Sequence, residues 1–110
     1  KDVQFIEKIH QVIEENLDNS DFNIDTIAST IGLSRSAFFK KLKSLTGFAP
    51  VDLVKEIRLN KSIELIKNSD MSISEIAFAV GFKDSGYFSK CFRKKYDQTP
   101  REYMNEWRKG

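Results

Sequence analysis

The chain repeats itself internally, and this repeat constrains its fold more than any other feature of the sequence. Residues 22–33 match residues 71–82 at an offset of 49. Beyond that segment the best offset becomes 50, which aligns Phe38 with Phe88. Each copy reads as a short helix, a glycine turn, a longer helix and a proline that opens another helix. A duplication of this kind predicts two similar subdomains.

Local signals predict that almost the whole chain is helical. Apolar residues recur at helical spacing along it, and no segment alternates like a β-strand. The predicted N-caps are Asn23, Ser34, Ser72, Asp84 and Thr99. Gly32, Gly47 and Gly81 end helices, and Pro50 opens a long helix over residues 50–67. The sequence therefore predicts an all-α fold with seven helices and short connections.

The same spacing predicts which side chains are buried. The first helix is expected over residues 2–17, and the third helix is expected to bury Phe38, Leu42 and Leu45. The residues expected to be buried along the long helix are Leu53, Val54, Ile57, Ile63 and Ile66. The remaining expected packing residues are His10, Cys91, Tyr103 and Trp107.

Each copy has the residues that a helix-turn-helix needs. Ala28 and Ala77 are predicted where two helices cross, because a larger side chain would push the helices apart. The glycine of each copy permits the left-handed backbone that ends the first helix sharply. The alternative is a pair of ordinary helical hairpins, but two copies with the same order favour the helix-turn-helix. The predicted divisions are a first subdomain at 1–49, a linker helix at 50–67 and a second subdomain at 68–110.

The net charge of +2 conceals an uneven distribution. Residues 1–31 have a net charge of −5, whereas residues 32–47 and residues 76–110 each have +4. The excess lies on the second helix of each copy, at Arg35, Lys40, Lys41, Lys43, Lys90, Arg93, Lys94 and Lys95. In a helix-turn-helix this second helix enters the major groove of DNA. The alternative reading is a solvated charged face, which we also expect for Lys41 and Lys95.

The sequence lacks the residue sets of common enzymes. It contains one His and one Cys, too few for a zinc site of imidazoles and thiolates. No phosphate-binding or dinucleotide-binding glycine motif is present, and His10 has no nucleophile motif to serve. We therefore expect no catalytic residue, no metal and no cofactor. The single cysteine suits a reducing compartment. No apolar run is long enough to span a membrane. The absence of an initial Met suggests that the chain is a piece of a longer protein.

The motifs resemble a known family. The second copy reads Ile76-Ala77-x-x-Val80-Gly81-Phe82-x-x-x-x-Tyr87-Phe88-Ser89-x-x-Phe92-Arg93-Lys94-x-x-x-x-Thr99-Pro100-x-x-Tyr103. This pattern resembles the signature of AraC/XylS-type bacterial transcription regulators, and the resemblance extends over residues 5–107. Leu33-Ser34-Arg35-Ser36 and Leu45-Thr46-Gly47 further resemble the output domains of hybrid two-component regulators.

The resemblance implies a homeodomain-like fold in which two helix-turn-helix subdomains flank a linker helix. It also implies sequence-specific binding of double-stranded DNA, with the two recognition helices in successive major grooves. The implied base-reading residues are Arg35, Ser36, Phe39, Lys40, Ser85, Gly86, Ser89 and Lys90. The implied phosphate contacts are Lys43, Arg93 and Lys94. Phe39 has a second interpretation as a core residue, although Phe38 continues the apolar stripe.

The implied partners are promoter DNA, RNA polymerase and the rest of a parent regulator that senses the signal. We expect a bacterial cytoplasmic location without membrane contact by this segment, which is compatible with a membrane-anchored parent. The competing hypothesis is a helical protein-docking module that contacts polymerase or a receiver domain, suggested by the acidic first helix. An enzyme is not expected.

Overall fold

A computed structural model of the chain describes residues 1–108, which contain seven α-helices and no β-strand. The helices are α1 Asp2–Glu15, α2 Ile24–Ile31, α3 Arg35–Thr46, α4 Pro50–Asn68, α5 Ile73–Ala79, α6 Ser85–Tyr96 and α7 Pro100–Trp107. The predicted all-α fold with seven helices is confirmed. None of the described helices has both the length and the apolar character that crossing a membrane requires.

The chain divides into two compact units, and the division falls inside α4. The first unit contains Lys1–Leu17 and Asp21–Ile57, and the second contains Asp18–Ser20 and the chain from Arg58 onward. The Asn19 carbonyl accepts a hydrogen bond from Arg58 Nη2 at 3.2 Å, a contact within the second unit. The predicted subdomain boundaries stay predictions, and residues 109–110 of the second subdomain lie outside the described part of the chain.

The first unit packs α1 against α2 and α2 against α3. Its fully buried side chains include Ile9, Ile13, Ile27, Phe38 and Leu42. The rings of Phe5 and Phe38 meet edge to face, with centroids 6.4 Å apart. Ala28 is buried as predicted for the residue at the helix crossing.

The second unit is built around an aromatic cluster. Phe82, Phe88 and Phe92 follow one another at ring-centroid distances of 5.2 and 5.8 Å, and Tyr103 of α7 lies 5.8 Å from Phe92. Aromatic pairs at such distances stabilise a core beyond the area they bury. Cys91 is buried beside them, as predicted.

The predicted caps hold the helices that carry the turns. Asn23, Ser34, Ser72, Asp84 and Thr99 each accept a hydrogen bond from a backbone N–H in the first turn. Ser72 and Thr99 also form capping boxes with glutamates. Hydrogen bonds from the backbone N–H and the side chain of Ser72 hold the pKa of Glu75 below its ordinary value. Bonds of the same kind from Thr99 lower the pKa of Glu102.

Two helical predictions were wrong near helix ends. The first helix ends at Glu15, because Asn16 Nδ2 donates to the Val12 carbonyl at 2.9 Å and competes with the backbone bond that would continue the helix. Leu45 was expected to be buried but is exposed, because it lies in the last turn of α3, where Ser44 and Gly47 are exposed as well.

Other burial predictions were also wrong. Along α4, Val54 and Ile63 are only half-buried, whereas Leu59 and Ser62 are buried. The two ends of α4 belong to different units, so no single apolar stripe follows the whole helix.

His10 and Trp107, expected as packing residues, are exposed. His10 lies beside Ile9, whose inward position turns the imidazole to solvent. Trp107 keeps part of the expected role, since its ring stacks on Tyr103 and lies 4.4 Å from Lys67 Nζ.

Candidate nucleic-acid interface

Four of the predicted base-reading residues lie together on α3. Arg35, Ser36, Phe39 and Lys40 are all exposed and line one shallow depression that is open to solvent. The backbone explains the placement, because Phe38 and Leu42 are fully buried and turn the intervening side chains outward.

Phe39 lies on the outer face of α3. Its side chain is 47% exposed, whereas that of the neighbouring Phe38 is 0% exposed. The interpretation of Phe39 as an ordinary core residue is therefore wrong. A large apolar ring among charged side chains is suited to contact with an apolar group such as a thymine methyl.

The start of α3 carries an ion pair that the sequence analysis did not identify. Arg35 Nη1 lies 3.4 Å from both Oδ1 and Oδ2 of Asp25, which is in the first turn of α2. Both side chains are largely exposed, at 67% and 64%. The pair joins the two helices of the first helix-turn-helix at the depression.

The corresponding face of α6 carries shorter side chains and only one charged group among its four predicted base-reading residues. Ser85 and Ser89 are half-buried, and Gly86 and Lys90 are exposed. Asp84 Oδ1 accepts a 2.6 Å hydrogen bond from Gly86 N, and a Cβ at this glycine would lie 3.1 Å from that oxygen. A side chain at Gly86 would thus force the capping carboxylate to move.

Tyr87 is an exposed aromatic residue on α6 that the predicted base-reading set omitted. Its side chain is 50% exposed, and its ring lies 6.0 Å from that of Phe82. It precedes Lys90 by three positions and Lys94 by seven, so the three residues share one side of the helix. The spacing of Tyr87 from the two lysines could have identified it as a residue of this face. It was omitted because the first copy has a small residue, Ala37, at the corresponding position.

The predicted phosphate contacts lie in the last turns of the two recognition helices. Lys43, Arg93 and Lys94 are all exposed. Their neighbours Lys41 and Lys95 pack on aromatic rings instead. Lys41 Nζ is 4.3 Å from the centre of the Phe5 ring, and Lys95 Nζ is 5.3 Å from that of Tyr96. Cation–π packing therefore accompanies these two lysines, which were expected only to be solvated.

Metal ligands do not cluster in the part of the chain that the structure describes. Within residues 1–108, no group of three or more His, Cys, Asp or Glu side chains could hold a metal ion.

The chain is similar to known proteins that contain helix-turn-helix domains. A family model described as a helix-turn-helix domain matches residues 27–106. The chain is 38% identical over 106 residues to Histidine kinase P4 of Formosa agariphila, a match that covers 96% of this chain. It spans only 8% of the length of that relative.

Solved structures resemble the chain along nearly all of its length. The C-terminal domain of the two-component response regulator yesN from Fusobacterium nucleatum is 30% identical, with a TM-score of 0.83 over 92% of this chain and 98% of that one. A Chromobacterium violaceum transcriptional regulator with an AraC-type DNA-binding domain is 29% identical, with a TM-score of 0.84 over 91% and 88%. The DNA-binding domain of AdpA, solved in complex with a target DNA, is 28% identical, with a TM-score of 0.85 over 94% and 92%.

Proposed function

Since the chain belongs to the AraC-type helix-turn-helix family, we propose that it is the DNA-binding output domain of a bacterial transcription regulator. It binds double-stranded DNA in a sequence-specific way and regulates transcription. The proposal rests on the exposed side chains of Arg35, Ser36, Phe39 and Lys40 at the start of α3. Ser34 caps this helix, and the buried Phe38 on its inner face leaves these four side chains on the outside.

The first recognition helix supplies most of the direct readout. Arg35 and Lys40 donate to the O6 and N7 acceptors of guanine in the major groove, and Phe39 contacts a thymine methyl. Ser36 offers a hydroxyl that can donate or accept. The exposure of all four side chains supports these roles, because base edges are reached only from the surface of the helix.

The second recognition helix reads the bases less. Its positions Ser85, Gly86 and Ser89 have short side chains or none, so Lys90 is the only long side chain among its four predicted base-reading residues. Lys43, Arg93 and Lys94 bind phosphates, which fix the register of the protein on the duplex without reading sequence. We therefore propose two half-sites of unequal specificity in successive major grooves, the stronger one bound by α3.

Selection of bound duplexes from random DNA tests this function. The expected result is a preferred sequence with two conserved segments, of which one is more strongly conserved. Lys40→Ala should relax base preference within the stronger segment, whereas Arg93→Ala should weaken binding to all sequences alike. Lys8→Ala, which removes an exposed lysine of α1, is the matched control and should change neither property. Recovery of no preferred sequence at low salt would overturn the proposal.

Two further partners are proposed besides DNA. RNA polymerase is the proposed contact during activation, and the signal is sensed by domains outside this segment. The likeness to part of a protein named as a histidine kinase, and to a response-regulator domain, supports an output role in two-component signalling. Because the DNA target of a bacterial regulator lies in the cytoplasm, this domain acts there.

A further inference from the structure

The ion pair between Asp25 and Arg35 needs an explanation other than folding stability. Both side chains are mostly exposed to water. Exposed ion pairs add little to the free energy of folding, because water screens the charges and two flexible side chains must be ordered. The N-terminal position of Asp25 on α2 suits the helix dipole, but that does not require the carboxylate to contact Arg35.

The geometry of the pair leaves half of the guanidinium available. Only Nη1 of Arg35 contacts the Asp25 carboxylate, at 3.4 Å from each oxygen. Within residues 1–108, Arg35 Nε and Nη2 donate to no protein atom. The Nε and Nη2 edge of a guanidinium carries two parallel N–H groups. A parallel pair is what bidentate recognition of guanine O6 and N7 requires.

We propose that Asp25 is a positioning residue for base reading by Arg35. The carboxylate holds the guanidinium by one nitrogen, so that the opposite edge faces the groove. An arginine without this restraint is free to turn toward the nearest phosphates, which attract it in any sequence. The proposal deepens the function proposed above and rests on it.

The same carboxylate acts against binding to DNA in general. A negative charge beside the recognition helix repels phosphates whatever the sequence, and repulsion of this kind is a recognised means of gaining specificity. Asp25 therefore lowers the affinity for all DNA while it raises the preference for guanine at one position.

The second copy has no ion pair that corresponds to the one between Asp25 and Arg35. The positions that correspond to Asp25 and Arg35 are occupied by Ser74 and Ser85, which cannot form an ion pair. The strongest guanine preference should therefore fall in the half-site that α3 binds, in agreement with the short side chains of α6.

Binding measurements on Asp25→Asn, Arg35→Ala and the double variant test the proposal. The probes are the selected duplex, the same duplex with the guanine that Arg35 reads changed to adenine, and unrelated DNA. Asp25→Asn should lower the guanine-over-adenine preference about five- to tenfold, since a bidentate contact contributes that order of discrimination. It should also tighten binding to unrelated DNA at low salt. The double variant should show the same residual preference as Arg35→Ala.

Glu7→Gln is the matched control, because it removes one exposed negative charge from α1 of the same unit. It should leave the guanine preference unchanged, and Asp25→Glu should restore part of it. Thermal unfolding of Asp25→Asn should match the wild type, which separates positioning from a merely structural role.

Two failures are distinguishable. If Arg35→Ala removes the guanine preference and Asp25→Asn does not reduce it, the positioning role is overturned and the proposed function stands. If the wild-type chain shows no base preference at all, the proposed function itself fails.

Discussion

Replacement of Lys43, Arg93 and Lys94 by alanine is expected to flatten the salt dependence of DNA binding. All three side chains are exposed in the last turns of α3 and α6, so their removal leaves the core intact. A lysine or arginine that neutralises a phosphate releases a condensed counterion, which makes affinity fall as salt rises.

The size of the effect follows from the number of contacts. Each phosphate contact contributes about −0.9 to the slope of log affinity against log salt, so the triple variant should have a slope shallower by about 2.7. Between 50 and 200 mM salt, the wild type should then lose about 40-fold more affinity than the triple variant loses. Each single variant should change the slope by about one-third of that amount.

Fluorescence anisotropy of a labelled duplex over this salt range measures the slope directly. Lys8→Ala supplies the control for the loss of one exposed positive charge from a helix outside the recognition faces. An unchanged slope in the triple variant, or a control that changes the slope as much as Lys43→Ala does, would refute the assignment of these three residues to phosphates.

Three further predictions concern the fold. Phe38→Ala and Phe88→Ala each remove a fully buried ring and should cost about 3–5 kcal/mol of unfolding free energy; losses below about 1 kcal/mol in urea titrations would contradict the packing described. Gly32→Ala should cost about 1–2 kcal/mol through backbone strain alone, because φ is +87° and a Cβ there meets no atom within 4 Å; an unchanged melting temperature would disagree. Glu75→Gln should destabilise the protein at pH 7. Because Ser72 lowers the pKa of Glu75, this deficit should shrink as pH falls below the ordinary value of 4.5 and vanish below the folded pKa; a deficit independent of pH would count against a stabilising role of the ionised carboxylate.

Local interactions explain why much of the fold could be predicted from the sequence. An N-cap such as Ser34 bonds a backbone N–H three residues away, and a glycine such as Gly32 fixes the turn by its own dihedral angles. Both signals depend on residues that are close in the sequence, so they can be recognised without knowledge of the tertiary structure. The outward position of the predicted base-reading residues of α3 followed from the same logic, since burial of Phe38 decides which neighbours point outward.

Contacts between residues that are distant in the sequence could not be predicted from such local signals. Arg108 donates from Nε to the Ile66 carbonyl at 3.1 Å and from Nη1 to the Met71 carbonyl at 2.7 Å, across 42 and 37 residues. The Asp25 and Arg35 pair likewise depends on how α2 meets α3. Contacts of this kind require the angle between helices, which periodicity along one helix does not contain.

Guanine methylation interference on the selected duplex, measured with the wild-type chain, shows whether two recognition helices of one chain contact the same DNA site. We expect two clusters of interfering guanines on one face of the DNA, with centres about 10 base pairs apart. Arg35→Ala should remove interference at the guanine that Arg35 reads in the stronger cluster and leave the other cluster in place. A single cluster, or two that respond equally to Arg35→Ala, would contradict the claim that two unequal recognition helices of one chain read one DNA site.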